Sequence, residues 1–168
     1  MNFLETLILI PLIGITVIAL FASLSLLFPA PIEKTRNHFE NAPERSLLLG
    51  IVNFVFFAVV TALFVWLTEE TGGLLNGIFI LLGGVVIGSF AIFTLFGLTA
   101  LSSILGERMG SGKTPFTSNL RGGALLLLAG LSPYIGWFIF TPLMIWAGFG
   151  AAISALLRKA KVENKLDD

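Results

Sequence analysis

The sequence contains no cysteine, one histidine and little charge, and these absences restrict what the protein can be. Without cysteine it has no disulfide, thiolate nucleophile, iron–sulfur ligand or thiolate zinc site. The single histidine, His38, is too few for a bis-histidine haem or a copper centre. Charged residues make up 12% of the 168 residues, and the ten basic residues cancel the ten acidic ones. This composition excludes a water-soluble globular domain and argues against nucleic acid as a partner.

Hydrophobic residues make up 56% of the chain, and many of them fall in four long apolar stretches. A helix needs about 20 residues to cross a hydrocarbon core of about 30 Å. The stretches cover residues 7–28, 46–67, 74–105 and 119–158. They predict an all-α fold, a polytopic transmembrane helical bundle that forms one integral membrane domain over residues 1–158. Residues 159–168 are predicted to be a cytoplasmic tail.

The last apolar stretch carries a break formed by Gly130, Ser132, Pro133 and Gly136. Ser132 can serve as a helix N-cap with Pro133 at the first helical position, and Gly130 can end the preceding helix. We therefore predict a helical hairpin with a short arm over 119–131 and a longer arm from Pro133. A single helix kinked at Pro133 is the alternative. Whether residues 119–131 cross the membrane fully is left open.

The basic residues predict the topology. All ten lie in segments 29–45, 106–121 and 158–168, whereas the only charged residues of the turn at 68–73 are Glu69 and Glu70. The positive-inside rule then places the N-terminus outside and the C-terminus in the cytoplasm. This requires an even number of crossings in the last stretch, as in a hairpin. We also expect a short surface helix over 31–41 and a continuation of the third helix over 101–108.

Small residues at helical spacing mark two candidate packing faces. Gly84 and Gly88 form a Gly-x-x-x-Gly motif in the third stretch, and a second face lies in the last stretch at Ala147, Gly148, Ala151, Ala152 and Ala155. Such faces let helix backbones approach closely in a membrane. Contact within the chain and contact with another subunit are both open at this point.

Polar groups able to do chemistry are scarce within the apolar stretches. Asn53 lies about two turns into the second, and we expect it to hydrogen-bond a neighbouring helix. The glycine-rich segment 106–114 does not predict nucleotide binding, because Glu107 stands where a phosphate-binding loop needs glycine. We expect no enzyme, no metal and no cofactor, with contact to a lipid, quinone or pigment left open.

Short motifs, in order along the chain, resemble those of a known bacterial membrane module. They are residues 27–34 (LFPAPIEK), 42–50 (APERSLLLG), 105–108 (LGER), 131–137 (LSPYIGW) and 148–151 (GFGA). The module is the multi-span region of uncharacterised bacterial membrane proteins and often lies behind a bactofilin-like polymer-forming domain, which this sequence does not contain. The resemblance implies a structural helical unit in a bacterial membrane and carries no catalytic residues.

These features predict a non-catalytic membrane protein, a scaffold or accessory subunit that packs against a larger respiratory or photosynthetic complex. Its expected partners are membrane lipids and other membrane protein subunits, with no nucleic acid and no nucleotide. One alternative is a small transporter or channel that uses the broken 130–136 segment; another is a pigment-binding or quinone-binding subunit. A transport pathway would bring polar side chains to one cavity, from among Asn53, Thr61, Ser89, Thr94 and Ser132.

Overall fold

The computed structural model describes residues 3–110 and 114–163, and within these ranges the protein is helical and contains no β-strand. The helices are α1 (Phe3–Leu27), α2 (Pro29–Asn41), α3 (Pro43–Glu70), α4 (Leu74–Arg108), α5 (Pro115–Leu131) and α6 (Thr141–Glu163), with a π-helical turn over Gly136–Phe140 before α6. The all-α fold class is confirmed. Four helical segments are long and apolar enough to cross a membrane, namely Ile8–Leu27, Pro43–Glu70, Leu74–Arg108 and Gly136–Ala155.

Proline sets the start of three helices. Pro29, Pro43 and Pro115 each stand at the first helical position, where the missing N–H is not needed and the fixed φ suits a helix. The predicted surface helix is α2 and begins two residues earlier than expected. The third apolar helix continues through Arg108, as predicted. The end of α6 takes in the first residues of the predicted tail, and residues 164–168 lie outside the described part of the chain.

The last apolar stretch is broken where the sequence predicts, but the second arm begins later than expected. Ser132 and Pro133 lie in the turn itself rather than capping and opening the next helix. The reason is the left-handed backbone of Tyr134, whose φ is +66°, which redirects the chain before helix geometry resumes at Gly136. A Cβ on Gly136 would lie 2.4 Å from the carbonyl oxygen of Ala129, so only glycine allows the turn to close this tightly.

The two arms of this hairpin diverge and pack on different partners. Helix α5 packs against α1 and α4, whereas α6 packs against α3 and α4. Both α4–α5 and α3–α6 are antiparallel, because Gly106 and Gly122 face Ser118 and Ser102 in reverse order along the chain. The glycines of the α3–α6 pair show the same reversed order. Helix α4 contacts each of the other five α-helices and therefore holds the bundle together.

These directions bring the charged segments to one end of the bundle. The ends of α1 and α4 and the starts of α3 and α5 lie together with α2, and we call this the basic end. The basic residues whose side chains the structure describes there are Lys34, Arg36, Arg45, Arg108 and Arg121. Glu69 and Glu70 lie at the opposite end, beside the turn into α4. The last stretch thus runs away from the basic end and returns to it, as the charge pattern requires.

Packing is close at the basic end and open at the opposite end. The buried residues of α3 are Ser46 and Gly50, and those of α4 fall between Gly97 and Gly106, apart from Gly83. Gly83 lies against Phe64 of α3. Towards the opposite end α3 and α4 therefore form a two-helix hairpin whose other sides are exposed and apolar.

Candidate functional site

Helices α4 and α5 meet through two facing Ser-x-x-x-Gly motifs, 102/106 and 118/122. A Cβ on Gly106 would lie 1.8 Å from the carbonyl oxygen of Ser118, and a Cβ on Gly122 would lie 1.7 Å from that of Ser102. No side chain fits at either position, so the two backbones are in direct contact. Sequence reasoning missed this contact, although the spacing of small residues could have indicated it.

Helices α3 and α6 repeat the arrangement. A Cβ on Gly50 would lie 1.7 Å from the carbonyl oxygen of Trp146, and a Cβ on Gly150 would lie 1.8 Å from that of Ser46. This pair also uses a Ser-x-x-x-Gly motif that was not singled out from the sequence. Two antiparallel helix pairs are thus locked by reciprocal glycine contacts.

The small-residue face predicted in the last stretch packs inside the bundle. Ala147, Ala151 and Ala152 are buried, and a Cβ on Gly148 would lie 2.9 Å from the carbonyl carbon of Gly97 on α4. Its remaining member, Ala155, is half-buried at the edge of a cavity. Most of this face is therefore occupied by the chain's own helices.

The glycines predicted in the third stretch face outward instead. No atom lies within 4 Å of a Cβ built on Gly84 or Gly88, and the same holds for Gly77. The three lie within about 40° of one another around α4, at 100° per residue. We call Gly77, Gly84 and Gly88 the glycine face. None of the described helices covers it.

A shallow apolar groove lies between α3 and α4 near the glycine face. Its volume is about 400 Å³. The groove combines phenyl rings with small side chains, and the lining residues are Phe54, Phe57, Ala58, Thr61, Ala62, Ile87 and Phe90. Ile87 stands between Gly84 and Gly88 in sequence, so the groove and the glycine face share one segment of α4.

A buried polar cluster ties α4 to α5 at the basic end. The Ser102 hydroxyl donates to the Asn119 side-chain oxygen at 2.8 Å, and the Ser118 hydroxyl donates to the Ser103 carbonyl at 3.1 Å. All four residues are buried. Hydrogen bonds between membrane helices contribute on average about 0.6 kcal/mol each, so this cluster supports the glycine contacts beside it.

An ion pair fastens α2 to the end of α4. The Arg36 guanidinium donates to both carboxylate oxygens of Glu107, and its Nε lies 3.7 Å from a Glu40 oxygen. The hydrogen bond to Glu107 raises the pKa of Arg36 above its usual value. A cavity of about 540 Å³ adjoins the pair and includes Ser103 and Asn119 in its lining. Because the opposite charges neutralise each other, we interpret the ion pair as a structural contact that holds α2 against the end of α4.

The break residues shape the hairpin turn and keep its aromatic side chains exposed. Gly130 lies in the last turn of α5, where a Cβ would be 3.7 Å from the Thr141 hydroxyl. That hydroxyl donates to the Gly136 carbonyl at 2.8 Å. Tyr134 and Trp137 in the turn are exposed, as expected of an aromatic belt at a membrane surface.

The polar side chains that a transport pathway would need are not brought together. Asn53 donates to the Leu49 carbonyl at 2.8 Å, within its own helix rather than across to the neighbouring helix that we expected. Ser89 and Thr94 likewise bond carbonyl groups one turn back in α4. Thr61 lines the groove, and Ser132 lies in the hairpin turn. Such back-bonds satisfy a hydroxyl or amide locally and define no pathway.

Aromatic rings fill the contact of α3, α4 and α6. Phe149 is fully buried, and its ring centroid lies 4.8 Å from that of Phe90 and 5.5 Å from that of Phe57. Offset and edge-on ring pairs at these distances stabilise each other beyond their buried area. Part of the phenylalanine content of the sequence thus serves packing within the chain.

No family model matches the chain, and neither a curated protein nor a solved structure is significantly similar to it. The resemblance to the bactofilin-associated membrane module stays a prediction. The described residues combine a closely packed basic end with an uncovered glycine face on α4.

Proposed function

We propose that this protein is a non-catalytic scaffold or accessory subunit that docks its glycine face against a transmembrane helix of a larger membrane complex. Its four apolar helices are compatible with an integral membrane protein. The proposed setting is a bacterial inner membrane, with the N-terminus outside and the basic end in the cytoplasm. Respiratory and photosynthetic assemblies are the complexes that we expect.

The observation that carries this proposal is the open space above the glycine face. Glycine in a helix interior costs about 1 kcal/mol relative to alanine. Elsewhere in the bundle that cost is offset by backbone contact, as at Gly106 and Gly122. At Gly77, Gly84 and Gly88 the chain itself supplies no such contact. A second helix approaching this face would supply it, because small residues drive helix association in lipid.

The groove beside the glycine face favours a helix as the occupant. At membrane depth the backbone of a partner protein must satisfy its own hydrogen bonds, which restricts it to a helix or a closed barrel. Ala58 and Ala62 leave room for side chains that project from such a helix. The short polar segments of the chain offer little surface for a function outside the membrane, which also favours an accessory role.

Purification of the tagged protein from native membranes in a mild detergent, with mass spectrometry of what stays bound, tests the proposal. We expect stoichiometric recovery of a larger membrane protein. The double variant Gly84→Leu/Gly88→Leu should lose it, because leucine blocks close approach of a helix. Val59→Leu is the matched control, since Val59 is 63% exposed on α3 and should retain the partner.

Thermal stability separates loss of the partner from loss of the fold. Both variants place leucine in open space, so the melting temperature of the isolated chain should not fall. Recovery of the chain alone, as a monomer or a homo-oligomer, would contradict the proposal. Equal partner recovery with the double variant and the control would contradict it as well.

A further inference from the structure

A second cavity, between α2, α4 and α6 at the basic end, is apolar inside. Its volume is about 370 Å³. Phe28 and Phe96 pack edge to face in its wall with ring centroids 5.5 Å apart, and Ala152 and Ala155 provide the space below them. The Thr35 hydroxyl in the wall donates to the Pro31 carbonyl at 2.9 Å, so its hydrogen is already used.

The mouth of this cavity carries positive charge. Lys34 is exposed and is the one charged residue among the described residues that line it. The carboxylates of Glu33 and Glu107 line the other cavity, on the opposite side of α2.

We propose that this cavity binds an acyl chain of one anionic phospholipid, with the lipid phosphate at the Lys34 amine. An apolar interior with a cationic mouth matches an amphiphile that has an apolar tail and a negative head. The positive-inside rule places the basic end at the cytoplasmic headgroups, where anionic lipids meet basic residues. A free phosphate would leave the phenyl and alanine walls without a partner. This inference does not depend on the glycine face.

Native mass spectrometry of the full chain, released from nanodiscs of equal phosphatidylglycerol and phosphatidylethanolamine, tests the site. We expect one retained phosphatidylglycerol per chain, in preference to phosphatidylethanolamine. Lys34→Ala should lower that preference about fivefold, from the attraction of one basic residue to an anionic lipid. Arg45→Ala is the matched control, because Arg45 is exposed at the same end and does not line the cavity.

A variant that fills the cavity gives an independent readout. Ala30→Phe adds a ring at an exposed lining position, so retention of the lipid should be lost while the chain stays folded. Short-chain phosphatidylglycerol should raise the melting temperature of the wild type in detergent and leave that of Ala30→Phe unchanged. Equal retention of the two lipids by the wild type would overturn the proposal, and so would equal losses in Lys34→Ala and Arg45→Ala.

Discussion

Replacing Gly122 with alanine tests the reciprocal contact between α4 and α5. The new Cβ would lie 1.7 Å from the Ser102 carbonyl oxygen, 2.6 Å from its carbonyl carbon and 2.8 Å from the Gly106 nitrogen. All three are backbone atoms, and non-bonded atoms pack at about 3.5–4.0 Å. The helices must therefore separate by more than an ångström. This separation also stretches the 2.8 Å hydrogen bond between Ser102 and Asn119.

The expected magnitude follows from three terms. Overpacking costs about 1–3 kcal/mol, and the weakened hydrogen bond adds about 0.6 kcal/mol. Alanine gains back about 1 kcal/mol over glycine in a helix. Gly122→Ala should thus lower the free energy of unfolding by about 0.6–2.6 kcal/mol. Gly84→Ala has no atom within 4 Å of its new Cβ, so the isolated chain should gain up to about 1 kcal/mol.

Titration of the purified chain with SDS in mixed micelles, followed by far-UV circular dichroism, measures both free energies on one scale. The two alanine variants should shift the unfolding midpoint in opposite directions. If the unfolding midpoint of Gly122→Ala equals that of the wild type, or shifts in the same direction as that of Gly84→Ala, then α4 and α5 are not in backbone contact at Gly122.

Ring packing, the Arg36–Glu107 ion pair and the direction of the helices can each be tested by substitution. Phe149→Ala should destabilise the chain by about 3–5 kcal/mol, whereas Phe138→Ala, on an exposed ring, should change little in the same titration. Glu107→Gln should lower the free energy of unfolding by about 1 kcal/mol or less, because the Arg36–Glu107 pair is part-exposed. At about 0.5 M salt the Debye length falls below roughly 5 Å, so the difference between variant and wild type should become smaller. Since the chain has no cysteine, Asn41→Cys and Gly72→Cys can be labelled with a membrane-impermeant maleimide; they should react from opposite sides of the membrane. Reaction from one side would contradict the topology.

The helices and their approximate bounds follow from the sequence because membrane thickness is a strong constraint. The stretch 74–105 is too long and too apolar to lie anywhere except across a membrane. The polar residues after it still continue the helix through Arg108. The break at Pro133 is visible for a similar reason, since proline and glycine act locally. The position at which the next helical segment begins, Gly136, cannot be predicted in the same way, because it depends on the left-handed backbone of Tyr134 and on carbonyl groups of α5.

The packing contacts are harder to predict because a small-residue motif does not name its partner. The motifs at 84/88 and 102/106 both place two small residues four positions apart in α4. The first nevertheless faces outward, whereas the second lies against α5. Which one turns inward depends on the placement of the other helices. Asn53 shows the same limit, since its bond to Leu49 within one helix competes with any bond across helices.

Photo-crosslinking from the glycine face in native membranes tests the central claim most directly. A photoreactive residue at Gly84 should give one discrete adduct with a larger membrane protein, and the same residue at Val59 should give none. An adduct of twice the chain's own mass would identify a second copy as the occupant, contradicting an accessory role. Adducts with lipid alone would show that no protein covers the face.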